Sequence, residues 1–344
     1  MRIFRCKRNA DIQRWRDFVR TCPESTSYHR WEWKHIIETS FAWPTFYFMA
    51  EEGGSVRGIL PLVLQKSWLF GTGISSMPLL QGGGILAETP ETATQLLREA
   101  STIAQEVGAK YVEFRHERDL GLGLAVRTDK VKALLPIPRD PERMWQGLDS
   151  RIRTSIRKAE KAGLNAELGG KELLDEFYAV FSENMRDLGT PVYHRRFFWE
   201  ILNAFPEQAH ICIVRSHGDA VACDFLLGFR ETIESVWAAS IRKYLPLKPN
   251  MLMHWNVLRF ATQHGYRTLD FGRSTVGSGP HRYKMQWGSI EVPLHWSYWS
   301  PDGKQLPAMD RHNPKFQFAI RAWQRLPLAI ANRVGPSLVR HLSS

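Results

Sequence analysis

Apolar runs broken by a short polar turn occur twice along the chain, and the same elements follow each time. FYFMAEEGGSVRGILPLVL turns at Gly53-Gly54, and HICIVRSHGDAVACDFLLGF turns at Gly218-Asp219, so both predict β-hairpins. Downstream, apolar residues recur at helical spacing: Leu96, Ala100, Ile103 and Val107 in the first half, Met251, Trp255, Leu258 and Ala261 in the second. Each helix is closed by a glycine and leads into a strand, in AQEVGAKYVEF and in ATQHGYRTLDF. Alanine, glycine, a carboxylate and phenylalanine fall at matching positions in these two segments. Strand, turn, strand, helix and strand in one order, twice, predict an internally duplicated chain of mixed α/β (α+β) class.

A different pattern joins the halves. PIPRDPERMWQGLDSRIRTSIRKAEKAGL reads as one helix, with Asp140 as N-cap, Pro141 at the first helical position and Gly163 closing it. Trp145, Leu148, Ile152, Ile156 and Ala159 form its apolar stripe. Arg151, Arg153, Arg157, Lys158 and Lys161 fall on the other side, with Glu160 as the only acid among them. An ordinary exposed helix mixes the signs for i,i+4 support. The face is therefore either plainly solvated or a binder of phosphate or another polyanion. At the C-terminus Phe316, Ile320, Trp323, Pro327, Ile330, Val334 and Leu338 again step at helical spacing, with Pro327 and Pro336 set to break or kink the helix. This tail is either docked on the body or an interfacial helix on an anionic membrane surface. The expected domains are 1–138, 139–313 and an amphipathic basic segment at 314–344.

Composition adds a partner class. The chain has 344 residues, enough for about two domains. Its net charge is +11, which implies an anionic partner: a phosphorylated substrate, RNA or an acidic lipid surface. Cys6, Cys22, Cys212 and Cys223 show no CxxC spacing and read as free thiols in a reducing compartment. The histidines form no HExxH or Cys/His cluster, so no metal site is expected. The N-terminus lacks an apolar secretory core and no run of about 18 apolar residues occurs, so a cytoplasmic location is expected, with peripheral contact to the membrane's inner face left open.

One segment concentrates candidate chemistry. LDFGRSTVGSGPHRYKMQWGS, residues 269–289, reads as a buried strand that runs into a glycine-rich loop and then a basic-aromatic run. Such a loop lets backbone and cations approach an anion closely.

This segment, together with RIRTSIRKAEKAGL and PNMLMHWNVLRFATQHGY, resembles FemAB-type transferases, which are tandem acetyltransferase-like (GNAT-like) proteins. The nearest likeness is to the branch associated with exosortase/PEP-CTERM and exopolysaccharide systems. It covers most of the chain, from SYHRWEWKHIIETSF onward. The resemblance implies two GNAT-like domains, 1–138 and 139–313, and transfer of an acyl or aminoacyl group to an amine of a cell-envelope or exopolysaccharide precursor. The donor would be aminoacyl-tRNA or acyl-CoA, with no tightly bound cofactor. The acceptor would be an anionic glycan or a nucleotide- or lipid-linked precursor. The chain departs from the pattern in three places. Relatives often carry two adjacent lysines where Lys284-Met285 stands, and an aromatic where His281 stands. The Q/R-x-x-G-x-G/A loop of CoA-dependent relatives is matched only by Arg273 to Gly279, which is one residue too long and follows the wrong strand.

Amide formation needs a neutral amine, a stabilised oxyanion and a held donor. Lys284 is the candidate for the oxyanion, with its neighbour Tyr283 in the candidate catalytic set. Asp270 either takes a proton from the amine or caps the backbone amides of the loop. Arg273, His281 and Arg282 with Gly277 and Gly279 are candidates for holding phosphate or carboxylate. Tyr244 and Asn250 are candidates for lining a pocket, and Arg153, Arg157, Lys158 and Lys161 for a polyanionic carrier. The competing class is a non-catalytic basic scaffold for RNA or lipid. The first half lacks a counterpart of the Lys284 segment and is expected to be mainly structural.

Overall fold

The computed structural model describes residues 1–68, 71–303 and 314–342. The expected boundary at 313 and the side chain of Phe316 lie outside what is described. Contacts divide the chain into two compact units. One is Met1–Lys130 with Pro293–Met309 and Ser337–Ser344; the other is Val131–Val292 with Asp310–Pro336.

In chain order the first unit opens with β1 (Arg2–Arg5), α1 (Asn9–Thr21), α2 (Glu32–Phe41), β2 (Thr45–Glu52) and β3 (Ser55–Ser67). It continues with β4 (Gly71–Ser75), β5 (Leu86–Ala87), α3 (Pro90–Glu106), β6 (Val112–His116) and β7 (Ala125–Arg127). The second contains β8 (Lys130–Pro136), α4 (Pro141–Gly147), α5 (Ser150–Lys161), β9 (Leu164–Gly169), α6 (Leu174–Asp187) and α7 (Arg195–Ala204). It goes on through β10 (Ala209–Ser216), β11 (Asp219–Phe229), β12 (Thr232–Ser240), α8 (Pro249–Gln263), β13 (Thr268–Thr275), α9 (Gly279–Met285) and β14 (Ile290–Pro293). Then come β15 (His295–Trp299), α10 (Pro314–Gln324) and α11 (Leu328–Val339).

The duplication is visible in the sheets. The first runs β1-β2-β3-β4-β6-β15-β7, with β5 on the side of β3; the second runs β9-β10-β11-β12-β13-β8-β14. In each, the first four strands are antiparallel neighbours, and the fourth and fifth are parallel. In each, the sixth place is taken by a strand from elsewhere in the sequence. β15 follows the whole second sheet in sequence yet pairs with β6 and β7, so residues 295–299 belong to the first unit and not to the 139–313 segment. The helix before the parallel strand covers one sheet face in both units, through Leu96, Ala100 and Ala104 on α3 and Val257, Leu258 and Ala261 on α8.

Local signals explain most element ends and correct three expectations. Gly53 and Gly54 both have positive φ (56° and 79°), the geometry of a two-residue hairpin turn. In the second hairpin the turn residues are His217 and Gly218 (52° and 92°), and Ser216 pairs with Asp219; the turn sits one residue earlier than predicted. The single helix expected from Asp140 is two helices. Asp140 caps α4 as expected, but Leu148 is extended and the Asp149 carboxylate accepts from the Arg151 amide at 2.8 Å, which starts α5 afresh. The loop expected after Phe271 is shorter than the glycines suggest. β13 continues to Thr275, and Ser278 then caps α9, with a proline in the first turn.

The tail is docked. Pro327 falls between α10 and α11, while Pro336 lies inside α11. Asn332 Nδ2 donates to Ser182 Oγ (3.2 Å), Gln324 Nε2 to the Asp187 carbonyl (2.9 Å) and Arg186 to the Leu326 carbonyl (3.2 Å). Among the described residues no helix is long and apolar enough to cross a membrane.

Candidate active site

β12 and β13 pair in parallel only from Thr232 opposite Thr268 to Glu234 opposite Asp270, although both strands continue, to Ser240 and Thr275. The backbone groups beyond that point need other partners. α9 packs on β13 and supplies one. Lys284 Nζ donates to the carbonyls of Gly272 (2.8 Å) and Arg273 (2.9 Å), just past the last strand pair. Gly272 has φ of 71°, a conformation that favours glycine, and its amide donates to Asp270 Oδ1 at 2.8 Å. Asp270 is buried, with Lys132 Nζ 4.0 Å from its other oxygen, and it tethers the backbone of the strand. Burial pulls the Lys284 ammonium down to about 8, against Asp270, Glu234 and Asp224, which favour its charged form. Lys284 is thus a half-buried cation beside a place where two strands have parted.

Beside it is a polar cluster inside the core. The Tyr283 hydroxyl is 2.8 Å from His254 Nδ1 and donates to the Asn250 carbonyl at 3.1 Å. The Asn250 side chain accepts from Ser240 Oγ. His254 Nε2 faces Asp224 Oδ2 at 3.8 Å, and Ser235 Oγ donates to that same oxygen at 2.7 Å. Asp224 is fully buried, and its Oδ1 has no hydrogen-bond partner among the described residues. Burial pushes the Asp224 carboxyl up to about 7 and the His254 imidazole down to about 3, so the histidine is neutral and the acid titrates near neutrality. Burial likewise raises the Tyr283 hydroxyl far above its ordinary value.

Of the residues singled out in the sequence, Lys284, Tyr283, Asp270 and Asn250 come together here, with the Arg273 backbone. His281 and Arg282 are engaged locally. His281 Nε2 meets Glu291 at 2.6 Å, and Arg282 donates to the Gly277 carbonyl at 2.5 Å, so both brace the turn before and around α9. Gly277 has φ of 75° in that turn, and Gly279 is the first residue of α9. The Arg273 side chain is exposed. Tyr244 is half-buried against the core, with Lys243 Nζ 4.8 Å from its ring centre. The α5 cations do not join the cluster. Arg153 reaches the Gln146 carbonyl at 3.4 Å, Arg157 stands over the Trp145 ring, and Lys158 and Lys161 are exposed.

Sequence reasoning misses Asp224, Ser235 and His254. One signal exists for the first: Asp224 is an ionisable residue inside the apolar run VACDFLLGF, where a charge is costly unless it has a task or a partner.

The corresponding place in the first unit is filled. β4 and β6 pair in parallel only at Ile74–Val112 and Ser75–Glu113. Arg115, two residues beyond Glu113 as Gly272 is beyond Asp270, is fully buried. Its Nε meets Glu113 at 2.6 Å, its Nη1 donates to the Met77 carbonyl at 3.0 Å, and it stacks on Trp296. The Tyr298 hydroxyl donates to the other Glu113 oxygen at 2.7 Å. Arginine and aromatic side chains plug this gap, whereas the second unit has glycine there.

Comparison with known proteins agrees with this architecture. Residues 148–285 match the family described as acetyltransferase (GNAT) domain. A search of curated proteins finds no match to the sequence. Among solved structures, FemX superposes with a TM-score of 0.67 at 15% identity, over 86% of this chain and 97% of its own. A tandem GNAT protein from the clavulanic acid biosynthesis pathway gives 0.57 at 12% identity, over 89% and 99%. L-PGS from Bacillus licheniformis gives 0.54 at 15% identity, over 85% and 96%. The chain therefore has the two-domain fold of tandem GNAT proteins, and its segment 148–285, which ends one residue after Lys284, is similar to the acetyltransferase (GNAT) domain family.

Proposed function

We propose that the second unit transfers an acyl or aminoacyl group to an amine, with Lys284 stabilising the oxyanion. The observation that carries this reading is the position of Lys284 Nζ, half-buried and anchored on two carbonyls where β12 and β13 part. In the transfer the acceptor amine attacks the donor carbonyl and a C–N bond forms. The carbonyl oxygen takes up negative charge beside the ammonium. The bond to the carrier then breaks, and the proton lost by the amine ends on the departing oxygen or sulfur. A fixed cation at such an oxygen is worth about two to three decades in rate. Asp224, His254 and Tyr283 lie beneath Lys284 and set its surroundings.

Aminoacyl-tRNA is the preferred donor. The segment between β12 and α8, residues 241–248, contains no glycine, so it offers no Q/R-x-x-G-x-G/A loop for a CoA pyrophosphate. Acyl-CoA is the second reading, favoured by the acetyltransferase description of residues 148–285. Placing the acceptor among cell-envelope or exopolysaccharide precursors rests on the resemblance of the sequence alone. The test supplies labelled aminoacyl-tRNA and, separately, labelled acetyl-CoA with an envelope and nucleotide-sugar extract. Product should form from one donor and fall about a hundredfold or more in Lys284→Met, assayed well below the variant's own melting temperature because the substitution also removes the bonds to the Gly272 and Arg273 carbonyls. A variant that transfers at the parent rate would remove Lys284 from the reaction.

A further inference from the structure

The two C-terminal helices have an inner face that is already in use. On α11 Ala331 is buried, and a Cβ on Gly335 would lie only 3.1 Å from the Val192 amide. On α10 Ile320 lies against Gly189. What remains on the outside is not the usual polar surface. Phe318 is 75% exposed, Ile330 48% and Val334 41%. At about 100° per residue, Phe318 falls roughly 160° around the wheel from Ile320, and Ile330 roughly 140° from the middle of the docked face. Phe318 and Ile330 therefore do not serve the docking, and Val334, roughly 100° from that middle, lies at its edge.

The charges beside them are of one sign. Arg321, Arg325 and Arg333 are exposed and make no ion pair among the described residues. On α6 and α7 of the same unit, by contrast, Arg186, Arg195 and Arg196 pair with Asp187, Asp175 and Glu200. From residue 314 to the end the sequence contains no Asp or Glu at all. Cations that make no ion pair among the described residues, set beside exposed aromatic and branched aliphatic side chains, match the two layers of a bilayer surface. The guanidinium groups suit the phosphates, and Phe318, Ile330 and Val334 suit the acyl boundary below them. A nucleic acid would use the arginines but gain nothing from an exposed isoleucine and valine.

We propose that the outer faces of α10 and α11 bind the protein to an anionic lipid surface while their inner faces stay docked. The proposal is independent of the reaction assigned to Lys284. The test is co-sedimentation of the full chain with vesicles of phosphatidylcholine alone and with added phosphatidylglycerol. Binding is expected only to the anionic vesicles. The partition coefficient should fall roughly a hundredfold in Arg321→Gln/Arg325→Gln/Arg333→Gln. It should fall at least about tenfold in Phe318→Ser/Ile330→Ser. Both variants should melt as the parent does, because the altered side chains point away from the docked face. No binding to anionic vesicles would overturn the proposal. So would binding that the Phe318→Ser/Ile330→Ser variant retains in full and that single-stranded RNA competes away, since that pattern marks a polyanion site.

Discussion

Lys284 and Tyr283 are adjacent in sequence but do different work. Lys284 turns to the edge of β13, and Tyr283 turns into the core, where its hydroxyl serves both His254 and the Asn250 carbonyl. Removing that hydroxyl takes one partner from each, although His254 Nδ1 and the Asn250 carbonyl stay 3.0 Å apart, so Tyr283→Phe should lower stability by about 1 kcal/mol. Urea unfolding checks this; an unchanged midpoint would mean that water replaces the hydroxyl. Lys284 stands out in the sequence because its chemistry and its motif coincide. Asp224 and His254 cannot be grouped with it in that way. They stand thirty and more positions away in apolar segments, and only the packing of α8 on β11 brings the imidazole to the carboxylate.

At the scale of elements, capping groups decide where helices begin. The apolar stripe from Trp145 to Ala159 is continuous, so periodicity alone joins α4 and α5. Asp149 separates them because its carboxylate competes for the Arg151 amide and holds the residue outside helical geometry. Asp149→Ala should destabilise the second unit by about 1 kcal/mol, read as a shifted denaturation midpoint with an unchanged slope. A midpoint that does not move would assign the break to Gly147 instead. The same kind of signal, Ser278 followed by Gly279-Pro280, builds α9 from what reads as loop, and α9 is the element that delivers Lys284.

Across the molecule, the two units share one strand order but differ at one point. Both have a parallel pair that stops after two or three residues. In the first unit Arg115 and Trp296 occupy the region beyond it, and in the second Lys284 reaches it from α9. The second unit also buries an acid whose ionisation opposes folding. Asp224 is raised from its ordinary 3.8 to about 7, so the folded protein holds that proton more tightly than the unfolded chain. Its contribution to stability is complete below about 4 and is lost as pH rises through 7. Asp224→Asn removes this dependence. Between pH 5 and pH 8 the variant should gain about 1–3 kcal/mol relative to the parent, measured by denaturant titration at each pH. Parallel pH profiles for the two proteins would rule Asp224 out as the titrating group. The buried histidines His29 and His116 affect both proteins alike and drop out of the difference.

The sequence by itself determined the duplication, the paired hairpins, the two sheet-covering helices and the prominence of Lys284. These depend on local periodicity, on turn chemistry and on residues close together in the chain, and such signals survive without a fold. Only the tertiary structure decided that β15 returns to the first sheet, because a five-residue strand carries no local record of its partner. It alone decided that His281 and Arg282 brace a turn, since their partners Glu291 and Gly277 are set by the path of the backbone. It also assembled Asp224, Ser235 and His254 under Lys284, because a buried polar cluster is defined by which strands and helices pack together, and no spacing along the chain encodes that.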